Sequence, residues 1–169
     1  MRKVVFSRVL MLLIALAVVS CKGGYSFTGG NVGSAKTIAV DFFANEAQMV
    51  NPETSQLVTE AIKDIFVQQT PLELVDGRAD MELSGKITEY SLRPQAARGP
   101  SEVAQMRFTI VVQVDFENNL DTESSYNQRF SRYRDYDADL NFSDIEAELA
   151  TDIIKELRED ILNRAIANW

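Results

Sequence analysis

The sequence predicts an α+β fold, a two-layer sandwich in which two amphipathic helices cover one face of a single mixed or antiparallel β-sheet. Several segments alternate apolar and polar residues with a period of two, which is typical of strands with one buried face. Two other segments repeat apolar residues at helical spacing. The chain has 169 residues, a length that predicts about one domain. Its residues are 46% hydrophobic and 25% charged, which is typical of a globular protein.

Five strands are predicted in order. The first follows Lys36, where Ile38, Val40 and Phe42 form the apolar face. Residues 72–75 form a short strand, and residues 81–92 form a longer one whose alternation changes phase near Glu89, as a β-bulge would require. The clearest alternation covers residues 104–118, where the even positions are apolar, and residues 126–136 form a last strand of mixed character.

Two helices complete the predicted order β-α-β-β-β-β-α. Asn51 and Pro52 supply an N-cap and a proline suited to the first turn. The apolar stripe that follows consists of Leu57, Val58, Ala61, Ile62, Ile65 and Phe66. The second helix is predicted to open with a capping box at residues 143–146. Its stripe consists of Ile145, Leu149, Ile153, Leu157 and Ile161.

The N-terminal 20 residues have the pattern of a secretory signal peptide. Basic residues precede an apolar run at positions 9–19, which is shorter than the roughly 20 residues that a membrane-spanning helix needs. Cys21 follows Val18, Val19 and Ser20, a sequence that fits the lipobox of lipoproteins. We therefore expect a signal peptide at 1–20, a lipidated Cys21 with a glycine-rich tether at 21–35, and one domain at 36–169. An ordinary signal peptide followed by an incidental cysteine is the alternative.

Charge and residue usage exclude many functions. The chain has no histidine and one cysteine, so histidine-based catalysis, histidine-ligated metals, structural zinc clusters and internal disulfides are not available to it. We expect neither an enzyme nor a cofactor. Cleavage at Cys21 removes three of the 17 basic residues and none of the 25 acidic ones, which leaves a net charge of −11. This charge disfavours nucleic acid and anionic lipid surfaces as partners, so acyl chains such as palmitate are the expected membrane anchor.

Two polar clusters could bind ligands. The acidic segment 135–146 places oxygen ligands at the spacing of a calcium-binding loop, but Leu140 occupies the position that requires glycine. We interpret it as an acidic strand end before a capped helix. The second cluster consists of Arg93, Arg98 and Arg107, with Arg129, Arg132 and Arg134 on the adjacent strand, and it could bind an anion such as a lipid phosphate. Alternatively, these arginines balance carboxylates across the strands.

Several segments of the chain resemble the LptE family of lipopolysaccharide-assembly lipoproteins, in a divergent branch. They are Cys21 with the sequence GYSFTG at 24–29, the strand KTIAVDFF at 36–43, and the helix entry NPETSQ at 51–56. The resemblance covers the mature chain, including the order of its elements and the long last helix. It implies a plug within the outer-membrane β-barrel LptD, and contact with lipopolysaccharide through basic residues, for which Arg93, Arg98 and Arg107 are the candidates.

The expected function is therefore that of a non-enzymatic lipoprotein that assists lipopolysaccharide transport. The three residues after the lipidated cysteine are Lys22, Gly23 and Gly24. None of them is acidic, so retention in the inner membrane is not signalled, and an outer-membrane location on the periplasmic side is expected. The polar lumen of a large barrel suits a sheet whose second face is polar. Two alternatives stay open, namely a lipoprotein scaffold or pilot for another outer-membrane complex, and a calcium-dependent binding module.

Overall fold

Six strands and two helices make up the residues that the computed structural model describes, which are 32–49, 51–96 and 104–166. In chain order the elements are β1 (Thr37–Val40), β2 (Ala44–Asn45), α1 (Pro52–Gln69), β3 (Glu73–Leu74), β4 (Met81–Gln95), β5 (Gln105–Asn118), a 3₁₀ turn (Thr122–Ser124), β6 (Tyr126–Asp137) and α2 (Phe142–Ile166). The predicted signal peptide, the lipidation site Cys21, most of the tether and Arg98 lie outside the described residues.

The strands form one mixed, open sheet, which confirms the predicted α+β class. The strand order is β3-β1-β4-β5-β6, and β2 pairs with β4 away from this path. β1 is parallel to β3 and β4, whereas β4, β5 and β6 are antiparallel neighbours. The two-residue β2 is the one strand of the described chain that the sequence pattern did not predict.

The predicted change of phase in β4 is confirmed. The register between β4 and β5 shifts between Ile87 and Glu89, so that Thr88 is the extra residue of a bulge. Ile87 and Tyr90 consequently both point into the core, where they are 0% and 2% exposed. The bulge keeps the apolar residues of this long strand on one side of the sheet.

The prediction that Phe42 lies on the buried face of β1 is wrong. The strand ends at Val40, and Phe42 is 63% exposed, whereas Phe43 is fully buried. The chain shifts here because the backbone N–H of Phe43 donates to the Thr59 hydroxyl of α1 at 3.0 Å. The Thr59 hydroxyl in turn donates to the Ser55 carbonyl at 2.7 Å. This hydrogen bond fixes the connection between the sheet and α1 inside the core.

The helices pack on the apolar face with two departures from the predicted pattern. Leu57 is 46% exposed and does not belong to the core stripe of α1. The second helix starts at Phe142, so Ser143 lies within its first turn and the predicted capping box is wrong. Glu146 instead accepts hydrogen bonds from the Asn51 side-chain amide at 2.8 Å and from the Tyr90 hydroxyl. Because Asn51 caps α1, the two helices begin side by side and run parallel.

Ion pairs join α2 to the edge strand β6. Arg132 donates two hydrogen bonds to Asp160, at 2.6 and 2.7 Å. Arg134 donates to Glu156 at 2.6 Å and lies 3.8 Å from Asp152. The hydrogen bond from Arg134 lowers the pKa of the Glu156 carboxyl. These contacts hold the polar side of α2 against the edge strand of the sheet.

Gly85 in β4 is required by close packing. A Cβ atom at this position would overlap the Gln113 carbonyl oxygen and lie 2.5 Å from Cε1 of Phe43. We therefore expect Gly85→Ala to lower the free energy of unfolding by about 1–3 kcal/mol, because overpacking displaces the Phe43 ring. Urea denaturation measures this change. Ser84→Ala, on the other side of the same strand, is the control, and equal stability of the two variants would contradict this account.

Arg134→Gln tests the ion pairs between α2 and β6. Because the folded-state pKa of Glu156 is lowered, its charged form stabilises the fold above the ordinary carboxyl pKa, and this contribution is lost as the pH falls through the lowered value. We expect the variant to raise the pKa of Glu156 towards its ordinary value. Titration of the side-chain carboxyl by NMR measures this shift, with Arg129→Gln as the control. An unchanged Glu156 titration in Arg134→Gln would show that the pair is not formed.

Candidate functional site: the open sheet face

The side of β4, β5 and β6 opposite the helices is the candidate functional surface. We call it the open sheet face, because none of the described elements packs on it. Its side chains are mostly polar and point outward at alternate positions of the three strands, as the register of the sheet requires. They include Ser84, Lys86, Glu89, Ser91, Arg93, Arg107, Thr109, Gln113, Asp115, Asn127, Arg129, Ser131, Tyr133 and Asp135.

Many polar groups of the open sheet face bind one another. Gln113 donates to the Asn127 side-chain carbonyl, and Asn127 donates to Asp115 at 2.9 Å, which links β5 to β6. On β4, the Ser91 hydroxyl donates to Glu89 at 2.7 Å. A face whose polar atoms are satisfied in this way is stable in contact with water or with another polar surface. It has no need of an apolar partner.

Arg107 is held in a fixed position on this face. Its guanidinium donates to both carboxylate oxygens of Asp135, at 2.7 and 2.8 Å, and lies 3.7 Å from the centroid of the Tyr133 ring. The hydrogen bond to Asp135 raises the pKa of Arg107. A bidentate pair stacked on an aromatic ring orients the arginine across β5 and β6. Its charge is therefore largely compensated within the protein.

Arg93 lies directly across from Arg107 in the register of β4 and β5. Its side chain is 68% exposed, and it donates to Glu89 at 2.9 Å. Arg98 belongs to the segment that connects these two strands and lies outside the described residues. The structure therefore brings two of the three predicted site residues, Arg93 and Arg107, to one end of the open sheet face.

The other arginines of the predicted cluster divide between the two sides of β6. Arg129 points outward with the odd-numbered residues, whereas Arg132 and Arg134 point to the helical side and bind acidic residues of α2. The interpretation that the arginines balance carboxylates across strands describes Arg107 and Asp135 correctly. For Arg132 and Arg134 the acidic partners lie on the helix instead.

The acidic segment 135–146 is divided among three elements. Asp135 lies at the end of β6 and binds Arg107, while Glu146 lies in α2 and binds Asn51 and Tyr90. Burial and the hydrogen bond to Glu146 raise the pKa of Tyr90, so its hydroxyl remains a donor. Within residues 32–49, 51–96 and 104–166, no three acidic or cysteine side chains are grouped to hold a metal ion. This geometry does not support a calcium loop in that segment.

Sequence reasoning missed Tyr133 and Asn127, which organise the open sheet face. The signal was present in the sequence, since Phe130 and Tyr136 mark the buried positions of β6 and place odd-numbered residues outward. The mixed character of this strand obscured it, because Arg132 and Arg134 occupy helix-facing positions. In the part of the chain that the structure describes, no helix combines the length and the apolar character needed to cross a membrane.

Three solved structures with a similar fold have low sequence identity to this chain. A minor lipoprotein from Acinetobacter baumannii is 14% identical with a TM-score of 0.51, over 77% of this chain and 91% of its own. A hypothetical protein from Chlamydia trachomatis is 9% identical with a TM-score of 0.52, over 80% of this chain and all of its own. A protein from Xanthomonas campestris is 9% identical with a TM-score of 0.52, over 75% and 81%. These likenesses show the fold.

Comparison with curated proteins gives no significant match. A family model does match, and it covers residues 35–165, from just before β1 almost to the end of α2. This range contains the whole sheet, α1 and all of α2 except its last residue. The chain therefore belongs to the LptE family of lipopolysaccharide-assembly proteins, a family of non-enzymatic lipoproteins.

Proposed function

We propose that this protein is an outer-membrane lipoprotein that faces the periplasm and plugs an LptD-type β-barrel through its open sheet face. The observation that carries this proposal is the three-strand polar surface that the helices leave uncovered. The lumen of a large outer-membrane barrel is polar, so a polar sheet face is compatible with it. Membership of the lipopolysaccharide-assembly family supports the same assignment.

The dimensions of the sheet are consistent with a plug. β4 and β5 pair over 14 or 15 residues, which corresponds to roughly 45 Å at about 3.3 Å per residue. The apolar band of a barrel is about 25 Å tall. A docked hairpin would therefore extend beyond the membrane-embedded part of the lumen at one or both ends.

Attachment to the membrane is assigned to Cys21. With residues 1–20 removed as a signal peptide, the domain beginning at residue 36 would follow the acylated cysteine and the segment 21–35. The mature net charge of −11 disfavours electrostatic binding to anionic lipid, so the acyl chains supply the anchor. Radiolabelled palmitate should enter the wild-type protein and not Cys21→Ser.

The hairpin end of the open sheet face is proposed to contact lipopolysaccharide phosphates. Arg93 is exposed there and has one carboxylate partner, whereas Arg107 is held by Asp135 and Tyr133. Arg98 belongs to the connection between the same two strands. Guanidinium groups bind phosphate oxygens in bidentate geometry, so Arg93 and Arg98 are assigned direct contacts. Arg107 is assigned a supporting position beside them.

A bulky residue in the open sheet face should block docking. We expect full-length wild-type protein to co-purify with the barrel after mild detergent extraction, and Ser131→Trp to reduce the recovered barrel at least about tenfold, because the indole prevents close contact. Val67→Trp, at an exposed position of α1, is the matched control and should retain the barrel. If the wild-type chain elutes alone, the plug assignment fails and a scaffold or pilot for another complex replaces it.

Removal of both proposed phosphate contacts should weaken lipopolysaccharide binding. Loss of charge-assisted hydrogen bonds predicts a reduction of about tenfold or more for Arg93→Ala combined with Arg98→Ala. Binding of labelled lipopolysaccharide to the full chain measures it. Arg78→Ala combined with Lys63→Ala removes the same charge elsewhere and should leave binding unchanged. Equal binding by the two double variants would remove Arg93 and Arg98 from the site.

A further inference from the structure

The parallel helices leave a groove between them on the outer side of the helical layer. We call it the inter-helix groove. It has a volume of about 180 Å³ and a mainly apolar lining, and Leu57 at its rim is 46% exposed. Its lining residues come from both helices and are Leu57, Ala61, Thr151, Ile154, Lys155 and Arg158. The groove therefore lies on the opposite side of the molecule from the open sheet face.

Two cations border this apolar groove without acidic partners. Lys155 and Arg158 are three residues apart on α2, so they project from neighbouring positions of the helix. Among the described residues, neither has a carboxylate oxygen within ion-pair distance, whereas Arg132 and Arg134 bind acids on the other flank of the same helix. In an acidic chain, two adjacent cations without partners form a local site for an anion.

Arg158 also leaves a hydrogen-bond donor unsatisfied. Its Nε atom is buried and has no hydrogen-bond partner among the described residues. Burial of an unpaired donor of a charged group destabilises the protein, so an acceptor that reached this atom would gain a hydrogen bond at little desolvation cost. Arg158 lines the same groove as the apolar side chains, so a cationic group with an unsatisfied donor lies beside an apolar surface.

We infer that the inter-helix groove binds a small anionic amphiphile, namely a short-chain fatty carboxylate. Its alkyl chain would lie against Leu57, Ala61 and Ile154, and its carboxylate would accept hydrogen bonds from Arg158 and Lys155. A volume of about 180 Å³ is close to that of the 150 Å³ apolar cavity that holds one benzene molecule. The groove therefore has room for one short chain and not for paired acyl chains.

The test uses octanoate, octanol and octylammonium with the full-length protein in lipid nanodiscs. Methyl NMR of Leu57, Ala61 and Ile154 reports on the groove itself, and affinities are compared at the free aqueous concentration of each probe because the probes also partition into the lipid. Octanoate should shift these resonances saturably. Octanol should bind at least about tenfold more weakly, because it lacks the charge-assisted hydrogen bonds, and octylammonium should not bind.

Variants separate the charged and apolar parts of the groove. Arg158→Gln and, separately, Lys155→Gln should weaken octanoate binding and reduce its preference over octanol, whereas Arg129→Gln, on the open sheet face, should change neither. Leu57→Ser should weaken binding of both octanoate and octanol, with Val67→Ser as its exposed control. An unchanged backbone spectrum shows that each variant is folded.

Three results would overturn the inference. They are the absence of saturable shifts in the groove methyl groups, equal binding of octanoate and octanol by the wild-type protein, and unchanged octanoate affinity in both Arg158→Gln and Lys155→Gln. Co-purification of the barrel is not part of this experiment. A negative result for octanoate binding therefore does not affect the plug assignment, and loss of barrel co-purification does not affect the inference about the groove.

Discussion

The alternation of side chains along β4, β5 and β6 determines which side of the sheet the helices can cover. Residues such as Phe108, Ile110 and Val112 point to one side, and burial of that side is the main favourable contribution to folding. The bulge at Thr88 preserves the alternation over the full length of β4 by returning Tyr90 to the core. A shift of one residue in either strand pairing would expose the apolar set, so the register is strongly specified. The polar identity of the open sheet face follows from the same constraint.

The two sides of the sheet use their polar residues differently. On the helical side, Arg132 and Arg134 form ion pairs with acidic residues of α2 and so hold this helix against β6. The acidic partners neutralise the positive charge of these two arginines, which is then not available to a ligand. On the open side, the amides and carboxylates form hydrogen bonds within the sheet, and Arg107 is stacked on Tyr133. An interface built on such a face gains little from hydrophobic burial, and its specificity rests on complementary hydrogen bonds and charges. That property suits a partner whose inner wall is polar.

Sequence patterns predicted the helices, the bulge and every described strand except β2; the longer elements span enough residues to show a period. They failed where one tertiary contact outweighed the local pattern. Phe43 replaces Phe42 in the core because its N–H binds Thr59 of a helix 16 residues later. Glu146 leaves its predicted capping role because Asn51 and Tyr90, distant in sequence, reach its carboxylate. The division of the arginines depends on which side of β6 each one occupies, and the inter-helix groove depends on the parallel packing of α1 and α2. Neither arrangement can be obtained from local spacing.

Site-specific photo-crosslinking in cells tests the central claim most directly, because it reports which surface touches the barrel. A photoreactive amino acid is placed at Thr109 or Asn127 of the open sheet face, and at Glu60 of α1 for comparison. The account predicts an adduct with the LptD-type barrel from the two sheet positions and none from the helix. Adducts that form from Glu60 and not from the sheet positions would show that the helical layer is the docking surface, and would contradict it.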